Sequence, residues 1–115
     1  IVREKDGLAM SSRNLYLNQE ERKQALALNR GLQMARDYVA SGYNPCIPVD
    51  ELIHVIQSEI QKEPLAKAEY IEILDGDTLE EMKYIEPSRK ALAAVAVKFG
   101  NTRLIDNMIL NSGEV

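Results

Sequence analysis

The sequence predicts an α+β domain: a two-helix hairpin, then a three-stranded, mostly antiparallel sheet, plus a short helix. Three observations carry this reading. Apolar residues recur at helical spacing from Ala25 to Val39 and again from Val49 to Ile60. After Pro64 the period shortens to two, with Ala68, Tyr70 and Glu72 alternating with Glu69, Ile71 and Ile73. Turn residues then cut the remaining chain into strand-length pieces.

Taken in order, residues 1–17 show no sustained period and hold Gly7, two serines and Asn14, the chemistry of a loop. Asn18 suits an N-cap, and Glu21 completes a capping box. The stripe Ala25, Leu28, Leu32, Ala35 and Val39 predicts one long amphipathic helix over 19–41, ended by Gly42. Residues 43–48 connect it to a second helix, with Pro48 in its first turn and Pro64 beyond its end. So short a connector makes the two helices antiparallel neighbours. Asp75-Gly76-Asp77 is a turn, and Asp77 or Thr78 is placed to cap a short helix through Met82. Strands follow over 90–99 and 102–110, joined by a tight Gly100-Asn101 turn. Residues 111–115 read as a frayed tail.

A chain of 115 residues is one domain by size, with 45% hydrophobic residues and an aliphatic core, since there is no Trp and only one Phe. Fourteen Lys and Arg against 18 Asp and Glu leave a net charge of −4. Without a basic stripe, and with scattered tyrosines that form no stacking platform, nucleic acid is not expected as a partner. The longest apolar run, 91–97, is too short to span a bilayer. The single cysteine, Cys46, cannot form an internal disulfide and fits a reducing, cytoplasmic setting. The charged N-terminus lacks both an initiator Met and a signal-peptide core, so the chain is expected to begin inside a longer protein.

Chemistry concentrates in the opening loop, Asp6-Gly7-Leu8-Ala9-Met10-Ser11-Ser12-Arg13-Asn14. Two hydroxyls, two backbone N–H groups and one planar guanidinium suit phosphate oxygens. From chemistry alone a second reading stands beside this one: the serines and Asn14 simply cap a turn. His54, on the second helix, has no partners spaced for a metal. Asp75-x-Asp77 lacks the later ligands of a calcium loop. Arg103 and Asp106 are read as an ion pair that fixes the sheet or touches a partner domain.

Val2-Arg3-Glu4, the run 6–14, Tyr16-Leu17 and Glu21-Arg22 closely resemble the pantothenate synthetase (pantoate–β-alanine ligase) family. So do Asp77-Thr78-Leu79 and Gly100-Asn101-Thr102-Arg103-Leu104-Ile105-Asp106-Asn107, in the same order. The resemblance identifies the chain with that family's C-terminal domain. It implies that Met10-Ser11-Ser12-Arg13 corresponds to the mobile signature loop of class I aminoacyl-tRNA synthetases. Against the pattern Lys-Met-Ser-Lys-Ser both lysines are missing, Ala9 and Ser12 stand in their places, and Arg13 is the nearby cation.

The resemblance further implies that Val2, Met10, Ser11, Ser12 and Arg13 bind ATP. It implies a two-step, AMP-forming condensation of pantoate and β-alanine through a pantoyl adenylate. Residues 1–17 would be the ATP-clamp loop and interdomain hinge, 18–110 a lid domain, and 111–115 the tail. Mg2+ would accompany ATP, with no protein ligands identified here. The family's His-x-Gly-His signature, pantoate-binding glutamines and catalytic lysine lie on a Rossmann-like N-terminal domain absent from this sequence. The chain therefore holds no catalytic residue, depends on that domain for pantoate and β-alanine, and alone is expected to be inactive. Separated from that domain, its loop is expected to lack ordering contacts and be mobile. The full enzyme would be a homodimer. The alternative is a non-enzymatic α+β module that binds a protein partner.

Overall fold

The computed structural model describes residues 2–42 and 46–113. Residues 43–45 of the connector and 114–115 of the expected tail lie outside the described residues. After a 3₁₀ turn at Ser12–Tyr16 come α1 (Gln19–Gln24), α2 (Ala27–Ala40), β1 (Ile47–Pro48) and α3 (Val49–Gln61). β2 (Ala66–Asp75), β3 (Tyr84–Ile85), β4 (Ala91–Phe99) and β5 (Thr102–Asn111) complete the order. Among the described residues no helix is long and apolar enough to cross a membrane.

The capping box forms as its residues predict: Asn18 Oδ1 accepts from Glu21 N–H at 2.8 Å and Glu21 Oε1 from Asn18 N–H at 2.9 Å. The single helix expected over 19–41 is interrupted at Ala25-Leu26. There the N–H groups of Leu26 and Leu28 reach back three residues, to Lys23 and Ala25, a 3₁₀ tightening. Buried Gln24 sits beside this break and accepts from Leu65 N–H at 3.0 Å, tying α1 to the start of the sheet. One tightened turn hardly alters the apolar period, so the sequence reads as continuous. Gly42 takes a φ of +70°, as a helix-ending glycine should.

Helices α2 and α3 lie antiparallel. Arg30, early in α2, pairs with Glu59 at 3.0 Å and Glu63 at 2.8 Å, late in and just after α3. Tyr38, late in α2, donates to Glu51, early in α3. Pro48 stands one residue before α3 rather than inside its first turn. Ile47 and Pro48 form β1, a short antiparallel pair with β3 that has no periodicity to announce it.

The main sheet has the order β2–β4–β5, antiparallel throughout. Register places Ile71 of β2, Val95 of β4 and Asp106 of β5 on one face, toward the helices. Leu28, Leu32, Leu52, Ile56 and Ile60 meet Val95, Val97 and Phe99 there, all fully buried. Each such side chain contributes about 1.5–3 kcal/mol by leaving water. The other face carries Tyr70, Ala96 and Ile105 in one row, with Lys67, Lys98 and Arg103 in another. At the β4–β5 turn Gly100 takes a φ of +63°. β5 extends through Asn111, whose side-chain amide donates to the carbonyls of Glu86 and Arg89. β5 thus takes in Asn111, the first residue that composition assigned to the tail.

The short helix expected from Asp77 or Thr78 to Met82 does not form; the short helical turn of this fold lies at Ser12–Tyr16 instead. Asp75 takes the N–H groups that a helix start would need. Its carboxylate accepts from Asp77 N–H at 2.8 Å and Thr78 N–H at 2.9 Å. Leu79 then turns through a φ of +64°, and Glu81 bridges back to Leu74. Arg89 Nε closes the cluster on Asp75 Oδ2 at 2.6 Å.

Arg89 foremost, then the Thr78 and Asp77 N–H groups, hold the Asp75 carboxyl well below its ordinary value of 3.8. Lys62 foremost, then Arg30, lowers Glu59. Both groups bind protons more weakly folded than unfolded. Their stabilisation is complete above the unfolded carboxylate values and is lost as pH falls through the folded ones. The melting temperature should therefore drop steeply below pH 4. Asp75→Asn should lower it at pH 7 and flatten the acid limb in a pH series of thermal melts. An unchanged acid limb in Asp75→Asn would show that this cluster does not govern acid stability.

Candidate functional site

Residues expected to form an irregular loop instead build a small hairpin. Glu4 N–H donates to Leu8 O at 2.8 Å and Met10 N–H to Val2 O at 2.9 Å, around a turn at residues 5–7. Gly7 is required in that turn. Its φ is +98°, which L side chains rarely adopt, and a Cβ there would also press on the Asn29 side-chain amide. Leu8 plants the hairpin in the core at 3% exposure.

The hairpin is bolted to the far end of the chain. Arg3 grips Asp106 in a bidentate pair, at 2.7 Å and 2.8 Å, and also donates to the carbonyls of Gly7 and Asn107. The Asp106 side chain is 1% exposed. Arg22 of α1 adds a second anchor, 2.9 Å from both Glu4 and Asp6, and holds the Asp6 carboxyl below its ordinary range. The expectation of a segment without ordering contacts is thus corrected: both anchors come from this chain. Arg103 and Asp106 do not pair with each other. Three residues apart on a strand, they face opposite sides of the sheet, and Arg103 turns to Glu69 at 2.6 Å.

Between the hairpin, the 3₁₀ turn and β5 lies an open cleft of about 600 Å³. Val2, Met10, Ser11 and Arg13 line it, and Arg103, Ile105 and Asn107 of β5 form the opposite wall. Ser12 is exposed but is not among the lining residues; in a 3₁₀ turn consecutive side chains diverge by about a third of a revolution. Ser11 caps the turn, its Oγ accepting from Arg13 N–H at 3.2 Å. This leaves the Ser11 O–H proton able to donate, since a hydroxyl both accepts and donates. The capped turn and the phosphate clamp are therefore compatible. Arg13 is exposed and forms no ion pair among the described residues. Asn14 Nδ2 donates to Ala9 O at 3.1 Å, joining the turn to the hairpin.

Residues 1–109 match the family model described as pantoate-beta-alanine ligase. The chain belongs to the pantoate–β-alanine ligase family. It is 48% identical over 114 residues to the pantothenate synthetase of Clostridium novyi, which covers 99% of this chain and 38% of that protein. The Clostridioides difficile pantothenate synthetase is 49% identical over 108 residues, 93% of this chain and 36% of that protein. This chain thus spans little more than a third of the length of the ligases it matches.

Among solved structures, pantothenate synthetase from Thermus thermophilus superposes with a TM-score of 0.83 at 34% identity, over 96% of this chain and 38% of that one. The pantoate-beta-alanine ligase of Francisella tularensis, complexed with beta-gamma ATP and beta-alanine, gives 0.52 at 25% identity, over 95% of this chain and 31% of that one.

Three features of this ligase-family cleft escaped the motif: the Arg3 anchor, and Arg103 and Asn107 on the wall. Arg103 and Asn107 lie in the run 100–107 that carries the resemblance, which was the available signal. Asp106→Ala should destabilise the domain by about 1.5–3 kcal/mol, the range for hydrogen bonds to charged groups. It should also speed hydrogen exchange at the Met10 amide well beyond that at Val95. Equal acceleration at both amides would show that the pair supports the whole fold and not the hairpin in particular.

Proposed function

We propose that this chain is the ATP-covering part of a pantoate–β-alanine ligase. In the reaction of such an enzyme a pantoate carboxylate oxygen attacks the α-phosphorus of ATP and pyrophosphate leaves. The β-alanine amine then attacks the acyl carbon of the pantoyl adenylate, and AMP leaves with formation of the amide of pantothenate. The observation that carries this reading is the Arg13 guanidinium, without an ion pair among the described residues, beside the Ser11 hydroxyl on a cleft wall. The family membership and the ATP complex of the Francisella relative support it.

Arg13 grips phosphate oxygens through paired N–H donors and steadies the charge that builds on departing pyrophosphate. Ser11 donates its O–H to the same group while its oxygen keeps the Arg13 N–H. Ser12 adds a hydroxyl and backbone N–H from the outer side of the turn. Met10, 57% exposed here, supplies apolar area for the nucleotide to cover. Val2 places its backbone against the adenine, its carbonyl retaining a second lone pair beside the bond from Met10. Mg2+ arrives as the counter-ion of ATP; Asp106, the acid on the cleft wall, is already gripped by Arg3.

A Rossmann-like partner domain supplies the sites for pantoate and β-alanine, so the 115-residue chain alone does not turn over. In the full-length homodimeric enzyme, working in the cytoplasm, closure of this part over ATP excludes water and protects the adenylate. In a full-length ligase carrying this sequence, Arg13→Ala should reduce AMP formation by about ten-fold or more, since a charged hydrogen bond contributes about 1.5–3 kcal/mol. The loss should appear in adenylation measured as pantoate-dependent pyrophosphate exchange. Wild-type exchange in Arg13→Ala would sink the clamp.

A further inference from the structure

Arg103 stands opposite Arg13. Besides lining the main cleft, the two residues line a shallower adjoining hollow with Tyr16 and Asn101. Arg103 is held to one side of it. Its Nε donates to Glu69 at 2.6 Å, and its guanidinium carbon lies 5.9 Å from the centre of the Tyr70 ring. To reach Glu69 on β2 the side chain crosses β4, which lies between β2 and β5 in the sheet. Both side chains of the ion pair are more than 40% exposed. Exposed pairs of this kind are weak and exchange readily for a stronger anion.

We propose that Arg103 is a second polyphosphate-binding residue, paired with Glu69 in this structure and transferred to the β- and γ-phosphates when a nucleoside triphosphate enters. This rests on the reading of the cleft as an ATP site. The tetra-anionic triphosphate outcompetes one carboxylate for the guanidinium because it offers more charge and paired oxygens in a planar-fork geometry. Rotation about the side-chain bonds is enough; the β5 backbone stays in place. Arg13 and Arg103 then approach the departing pyrophosphate from the two walls, and Glu69 is released to solvent. Glu69 thereby competes with ATP for Arg103.

That competition separates the idea from a purely structural ion pair. In the full-length ligase, Arg103→Gln should raise KM for ATP by on the order of ten-fold with a smaller change in KM for β-alanine. Glu69→Gln should move KM for ATP the opposite way or leave it unchanged, and Arg103→Lys should recover part of the loss. Thermal melts of each variant establish that the fold is intact. If Arg103→Gln and Glu69→Gln raise KM for ATP alike, the pair is structural and the proposal falls. It falls also if Arg103→Gln leaves KM for ATP unchanged while Arg13→Ala impairs exchange, an outcome that spares the ATP reading of the cleft. Loss of that reading itself would instead show as full activity in Arg13→Ala.

Discussion

The guanidinium of Arg3 grips a carboxylate 103 positions away, Asp106, that is almost wholly out of water. An unpaired charge at that depth is very costly, so the two groups hold each other in place. The consequence is topological. The third residue of the chain is bound to the last strand of the sheet, and the hairpin between them becomes one wall of a cleft. Without this pair the hairpin that carries Val2 and Met10 would keep its Arg22 and Leu8 anchors but lose its tie to β5, and a two-stranded hairpin is marginal in water by itself.

The site divides into an anchored floor and exposed ends. Leu8 and Asp106 are buried, Arg3 and Asn14 half-buried, and together they hold the hairpin and turn to the core. Arg13 and Met10 stand exposed at the rim. Under the proposed function this arrangement would serve a clamp, with an anchored frame and exposed contacting groups. Ser11 belongs to both parts, because its oxygen caps the turn while its hydroxyl proton remains available. The even choice between capped turn and phosphate site, left open by the motif, rested on a contrast that the geometry removes.

Much of the fold was legible in the residues. The capping box, the stripes of α2 and α3, the Gly42 stop and the Gly100-Asn101 turn all act as their local chemistry requires, because each depends on neighbours within a few residues. The failures share a different cause. The helix expected over 78–82 lost to Asp75, whose carboxylate is oriented by Arg89 fourteen positions on. The β1–β3 pair joins residues almost forty positions apart, in strands too short to show a period. Arg103 and Asp106 read as partners by proximity along the chain, yet a strand sends residues three apart to opposite faces.

The site shows the same division. By itself the sequence singled out Ser11, Ser12 and Arg13 as adjacent donors of the kind phosphate oxygens accept, because that chemistry is intrinsic to the residue types. It also carried the family resemblance, since that resides in the order of residues alone. Only the tertiary structure decided that Ser12 stands apart from the cleft wall and that Arg103 and Asn107 stand on it. It alone decided that Arg3 serves as anchor for the hairpin. Those outcomes follow from packing a hairpin at one end of the chain against a strand at the other, and a contact across 103 residues leaves no periodic trace.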